Sequence, residues 1–253
     1  MTYDCFTYNG EEMMLDLRMK ILDPYVDYFV ICESEETFSG NPKPIYYNGN
    51  NPKVIHLIKK NPTGDSFQRA GAQKDHILAA LDLGLGTVRK AGVYPLKSDD
   101  IIYFGDVDEI WKPQTITDDK IYNLKQLNYC YYLNNRSSEE WIGTIVGKWG
   151  SMTRLDQLTY SRAHHENVIE DGGWHFTNMG GADMIRRKLE SYDHQEFNHE
   201  DIKADLERKM EAGEDYVGRN VDWQGNPFVF HTSELDLPQF ILDNKEKYAD
   251  FLK

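Results

Sequence analysis

An α/β fold, with a central and mostly parallel sheet flanked by helices, is what three observations of the sequence predict. Apolar runs of strand length, rich in β-branched and aromatic residues, recur through the first half of the chain. Stripes of helical period separate them, and strands buried on both faces between helices are the mark of a parallel sheet. No internal repeat, low-complexity tract or long Pro/Gly/Ser linker divides the sequence, so the 253 residues, 40% hydrophobic and 28% charged, are expected to form one domain over 1–253.

The elements follow in order. Tyr3 to Thr7 reads as a short strand, and Glu11 to Leu22 carries Met14, Leu17 and Ile21 as a helical stripe. Tyr28 to Cys32 is a continuous apolar strand, and a Gly/Asn/Pro-rich loop from Ser39 to Pro52 leads to another at Val54 to Ile58. Phe67, Ala70, Ile77, Leu78 and Leu81 repeat near 3.6 residues and predict a helix from Ser66 to about Leu83, followed by a strand at Ile101 to Phe104. The second half is less regular. Strands are expected near Asn128 to Leu133, Trp141 to Val146, Trp174 to Thr177 and Phe228 to Phe230, with helices near Ala182 to Tyr192, Ile202 to Ala212 and Pro238 to Leu252.

Composition narrows the partners. With 42 acidic against 28 basic side chains the net charge is −14, which repels polyanions and argues against nucleic acid. Cys5, Cys32 and Cys130 each sit in an apolar segment; an odd number without tight spacing makes neither a disulfide framework nor a zinc cluster, and buried thiols are expected. No run approaches the roughly 18 to 20 apolar residues that cross a bilayer, and no basic and apolar leader precedes the first strand. A soluble, cytoplasmic protein is the expectation.

The sharpest local signal is Ile101-Ile102-Tyr103-Phe104-Gly105-Asp106-Val107-Asp108-Glu109-Ile110. An apolar strand delivers two carboxylates one residue apart, at the end of the sheet where α/β proteins gather ligands. If the strand continues, Asp106 and Asp108 point to one side while Val107 returns to the core. Two hard oxygen donors facing one point suit Mg²⁺ or Mn²⁺ that also holds phosphate oxygens and offsets charge on a departing diphosphate. The plainer reading is an acidic turn. A phosphatase of the haloacid-dehalogenase type also uses Asp-x-Asp, but on its first strand.

Several stretches together resemble glycosyltransferase family 17, the β-1,4-mannosyl-glycoprotein β-1,4-N-acetylglucosaminyltransferase family. They are Tyr3-Asp4-Cys5-Phe6-Thr7-Tyr8-Asn9 with Glu11-Glu12; Val26 through Glu33 with Thr37-Phe38-Ser39-Gly40 and Pro42-Lys43-Pro44; Phe67-Gln68-Arg69 through Gln73-Lys74; Gly105 through Ile110; and Gly173-Trp174-His175-Phe176. They span roughly residues 3 to 190. The resemblance implies the GT-A fold, a Rossmann-like α/β architecture, with a nucleotide-sugar half over about 1–125 and an acceptor half over about 126–253. It further implies a UDP-sugar donor (possible GlcNAc transfer included), a carbohydrate acceptor, inversion at the anomeric carbon and a metal at the Asp-x-Asp motif. The sequence departs from the family pattern at Gln68, Ala70, Lys74 and Asp75, where Glu, Glu, Arg and Asn are expected; lysine keeps the charge but loses the bidentate fork. Being shorter than the vertebrate enzyme, the chain fits a microbial or viral enzyme more easily.

The resemblance assigns provisional roles. Thr7, Asn9 and Glu33 are expected over the nucleotide, with a solvated strand end as the alternative for Glu33. Arg69, Gln73 and Lys74 are expected at the donor, and a structural ion pair is the alternative for Lys74, which lies beside the apolar face of its helix. Asp106 belongs to both donor and metal sites. The general base of an inverting transfer is expected at Asp183 first and Glu196 second, each of which also suits a helix-terminal cap. GT-A enzymes often add a histidine near the C-terminus to the metal; His231 is the candidate, while His175, between two aromatics, reads as a core residue. Two rival readings of the chain are a metal-dependent phosphohydrolase and a carbohydrate-binding GT-A shell without turnover.

Overall fold

A computed structural model describes residues 1–82, 96–152, 166–222 and 225–253. Four parallel strands form one half of the sheet in the order β3 (Val54–Lys59), β2 (Tyr28–Ser34), β1 (Thr2–Thr7), β4 (Ile101–Asp106). Alternation along these strands sorts their side chains between two cores. Phe6, Phe29 and Ile31 face α1 (Glu12–Leu22) with its Met14 and Leu17, whereas Tyr3, Cys5, Val30 and Cys32 face α2 (Ser66–Asp82) with its Ile77, Leu78 and Leu81. Each fully buried Leu or Ile in these layers contributes about 1.5–3 kcal/mol of transfer free energy. The helix expected to reach Leu83 is observed to Asp82; Leu83 itself lies outside the described residues.

Beyond β4 the sheet turns antiparallel, which corrects the expectation of a mostly parallel sheet. β8 (Trp141–Lys148) pairs antiparallel with β4 and with β6 (Tyr122–Cys130), and β7 (Asn135–Ser137) and β10 (Phe230–Thr232) complete that edge, again antiparallel. β9 (Val168–Thr177) runs parallel to β6 and antiparallel to β5 (Glu109–Trp111). The architecture is therefore a mixed sheet flanked by helices. In the second half, α3 (Gly181–Ser191) packs Ile185 and Leu189 with Leu206 and Met210 of the short helix Leu206–Ala212. The helix expected over Ile202 to Ala212 is split at Asp205, and the one expected over Pro238 to Leu252 is a turn of α-helix, Gln239–Asp243, followed by the 3-10 segment Lys245–Phe251. All three cysteines are free and buried. Among the described residues no helix is long and apolar enough to cross a membrane.

Candidate active site

The acidic turn is built from below by one arginine. Met14, Arg18 and Leu22 occupy a single i, i+4, i+8 row of α1, so the helix that buries two apolar side chains buries the guanidinium between them. Arg18 is fully buried and grips Asp4 of β1, also fully buried, through Nε to Oδ2 at 2.8 Å and Nη2 to Oδ1 at 2.6 Å. Trp111 Nε1 donates to the same carboxylate at 2.8 Å. The remaining face of Arg18 donates to the backbone carbonyls of Asp106, Val107 and Glu109, at 2.9, 3.3 and 2.6 Å. One side chain thus holds the main chain on both sides of Asp108. Glu109 completes the frame: it is buried and accepts from Trp141 Nε1 and Thr144 Oγ1, both at 2.9 Å.

That frame corrects the alternation argument. β4 ends at Asp106, and Val107 and Asp108 form a turn before β5 rather than prolonging the strand. Val107 is buried as expected, but the two carboxylates take separate partners. Asp106 Oδ1 accepts from Thr7 Oγ1 at 3.2 Å and lies 3.3 Å from Lys74 Nζ. Asp108 Oδ2 lies 3.6 Å from Lys188 Nζ and 3.7 Å from His175 Nε2. His175 is buried, stacked on Trp141, and shares a 3.0 Å hydrogen bond between Nδ1 and Asn128 Oδ1. Nε2, on the other side of the ring, faces Asp108. Burial holds the imidazole pKa below its ordinary value, with Asp108 and Glu109 opposing. Burial likewise works against the Lys188 ammonium, yet Asp108, Tyr216 and Glu11 hold its pKa above the ordinary lysine value.

Beside Asp108 opens a cavity of about 460 Å³, walled by the loop that follows β1, by Tyr46, by the β9–α3 connection and by Arg187 and Lys188 of α3. Arg187 stacks on the Tyr46 ring, 4.5 Å from its centroid, and donates to the Asn9 carbonyl at 2.5 Å. Gly10 makes this approach feasible, since a Cβ there would lie 2.6 Å from Arg187 Nη2 and 2.8 Å from the Tyr46 ring.

The structure gathers some of the expected residues and not others. Thr7, Lys74 and Asp106 meet, and Asn9 and Asp108 line the cavity. Glu33 does not reach a ligand: it is fully buried, and its oxygens accept the Tyr46 and Tyr47 backbone N–H groups at 2.8 Å each and a bond from His56 at 3.0 Å, with Lys43 at 3.6 Å. Burial pushes this carboxyl up, but His56, the two N–H groups and Lys43 together hold it below the ordinary glutamate value. Gln73 is buried and ties α2 to the Cys32 carbonyl at 2.7 Å. Arg69 is spent on Glu36 and on the Pro62 and Gly64 carbonyls. Asp183 is 97% exposed and paired with Arg186, and Glu196 is exposed and bonded to His194 at 2.7 Å. Neither lines the cavity. His231 is not brought to the turn. Pairing runs from Asp108 through Phe176, Tyr129 and Arg136 to His231, four strand spacings or about 19 Å along a sheet.

Among the described residues no three His, Cys, Asp or Glu side chains converge as a metal-holding group. Two half-buried carboxylates at one turn nonetheless match a cation that keeps several waters and takes its remaining oxygens from phosphates. Sequence reasoning passed over Asp4, Arg18 and Lys188. A charged residue on the Met14–Leu22 row was the available signal for Arg18.

An acidic turn at the end of a central strand, framed by a buried ion pair and opening on a cavity with cationic walls, is the candidate site, placed at the sheet end where α/β proteins gather ligands. The chain belongs to glycosyltransferase family 17, whose model matches residues 1–253, the whole chain. It is accordingly a glycosyltransferase, acting between a sugar donor and an acceptor. No curated protein matches it.

Proposed function

We propose that the chain is an inverting glycosyltransferase of the GT-A type that moves a sugar from a UDP-sugar to a carbohydrate acceptor with the help of Mn²⁺ or Mg²⁺. The observation that carries this reading is the acidic turn: two carboxylates presented at the end of β4, with Thr7 and Lys74 beside Asp106 and a cavity beside Asp108. Asp106 and Asp108 would hold the metal, and His175, whose Nε2 already faces Asp108, stands where His231 was expected. Bound there, the metal would offset the charge that builds on the departing diphosphate. Lys74, Lys188 and Arg187 supply fixed positive charge around the same point. Arg18 keeps the turn from relaxing when those charges change, since it holds three of its carbonyls.

The test is Asp108→Ala in a thermal-shift titration with UDP and Mn²⁺. Ligand that binds only the native state raises the melting temperature, so wild type is expected to shift and the variant to lose the Mn²⁺-dependent part of the shift while its unliganded melt persists. An unchanged shift would remove Asp108 from the metal site. Release of phosphate from simple phosphate esters without any sugar donor would favour the phosphohydrolase reading instead.

A further inference from the structure

An inverting transfer needs a carboxylate that faces the acceptor hydroxyl and is not already neutralised by a cation. Asp183 is paired with Arg186, Glu196 is bonded to His194, and neither lines the cavity. Besides Asp108, the carboxylates lining the cavity are Glu11 and Glu12. Glu12 opens α1 and is exposed. Glu11 is half-buried, and among the described residues it makes no ion pair; its carboxylate is held by backbone N–H groups, Asn9's at 2.8 Å to Oε2 and its own. It occupies the N-cap position of α1 without making a side-chain cap bond, so helix capping does not account for an acid at this place.

The rest of the lining fits a saccharide: Arg187 and Lys188 offer donors to hydroxyl oxygens. Met13, Met14, Met179 and Met184 supply an apolar, adaptable wall suited to the C–H faces of a sugar ring.

We infer that Glu11 is the general base of the transfer and that this cavity receives the acceptor saccharide, its attacking hydroxyl directed at Glu11. The inference rests on the glycosyl-transfer reading above. In the step, the acceptor O–H bond breaks and its proton passes to the Glu11 carboxylate; the freed electron pair forms the new bond to the anomeric carbon, and the old bond from that carbon to the phosphate oxygen breaks, its electron pair leaving with the diphosphate.

The experiment compares wild type, Glu11→Gln, Glu11→Asp and Asp183→Ala for UDP release from a panel of UDP-hexoses and UDP-N-acetylhexosamines with Mn²⁺, using methyl glycosides and disaccharides as acceptors. UDP–Mn²⁺ binding is read separately by thermal shift. Glutamine keeps an oxygen for the Asn9 N–H, so the loop should hold. The expected result is unchanged UDP–Mn²⁺ binding in Glu11→Gln with kcat lower by about 10²–10⁴-fold, partial activity in Glu11→Asp, and near-normal turnover in Asp183→Ala. Turnover by Glu11→Gln within about threefold of wild type overturns the assignment, as does loss of UDP–Mn²⁺ binding together with activity, which would make Glu11 a donor-site or structural residue. Should wild type bind UDP–Mn²⁺ but release UDP from no donor, or bind neither, the glycosyl-transfer reading falls first and Glu11 with it.

Discussion

Replacing Arg18 by methionine tests whether the acidic turn owes its shape to a buried cation. The substitution keeps most of the length of the side chain and removes every donor. Among the described residues, Asp4 would be left as a fully buried carboxylate with only Trp111 Nε1 to serve it, and breaking a buried pair in this way costs about 3–5 kcal/mol. The carbonyls of Val107 and Glu109 would lose a buried donor as well, at about 1–3 kcal/mol each. The sum, roughly 5–10 kcal/mol, rivals the entire stability of a typical domain. At about 2–4 °C per kcal/mol for a chain of this size, the melting temperature should fall by at least about 10 °C. Urea denaturation followed by tryptophan fluorescence gives the free energy. Arg18→Lys offers a milder step, since an ammonium cannot serve Asp4 bidentately and reach three carbonyls at once. A second variant, Asp4→Asn, closes a double-mutant cycle whose coupling term should exceed about 1.5 kcal/mol. If Arg18→Met melts within about 2 °C of wild type and binds UDP–Mn²⁺ equally well, the turn is held by other means and the account of its construction is wrong.

Three more outcomes follow from the same geometry. Lys74→Met removes the cation 3.3 Å from Asp106 and should weaken UDP–Mn²⁺ binding about tenfold, or ~1.4 kcal/mol, by calorimetric titration; equal affinity would reduce Lys74 to a surface residue. Gly105→Ala places a Cβ 2.5 Å from Glu109 Oε2 and 2.6 Å from Thr144 Oγ1, and should cost about 1–3 kcal/mol in urea melts. Glu33 titrates below its ordinary value of 4.5 in the fold, so on acidification the unfolded chain takes up this proton first. Its stabilisation is complete above pH 4.5 and drains away as the pH falls through the folded value, and Glu33→Gln should show less acid loss over that window than wild type.

What could be read in the sequence was whatever periodicity encodes. β1, β2, β3 and β4 and the helices α1 and α2 fall within one or two residues of their expected bounds, because buried strands and striped helices carry their pattern locally. β5 and β7 have three residues each, too few for any alternation to show, and the antiparallel pairings beyond β4 depend on which edges meet. At the site, residue types were legible and their employment was not. Asp106 and Asp108 lie at the end of a buried strand as expected, but the turn between them is imposed by Arg18, 88 residues distant from Asp106 in the chain. Glu33 was assigned to a ligand because its true partners are main-chain N–H groups of Tyr46 and Tyr47, which leave no trace in a sequence. Asp183 and Glu196 read as bases until Arg186 and His194 are seen to occupy them. Glu11 had only the oddity of a glutamate where a short capping side chain is usual.

The clasp beneath Tyr46 has a consequence for how such an enzyme can change over time. Residues 35–53 contain no strand beyond an isolated bridge, and their path over the cavity is fixed where Glu33 takes hold of two peptide groups. Every residue except proline offers a peptide N–H, so the Glu33 contact places no demand of its own on which side chains stand at 46 and 47. What keeps Tyr46 in the cavity wall is instead its ring, on which Arg187 stacks.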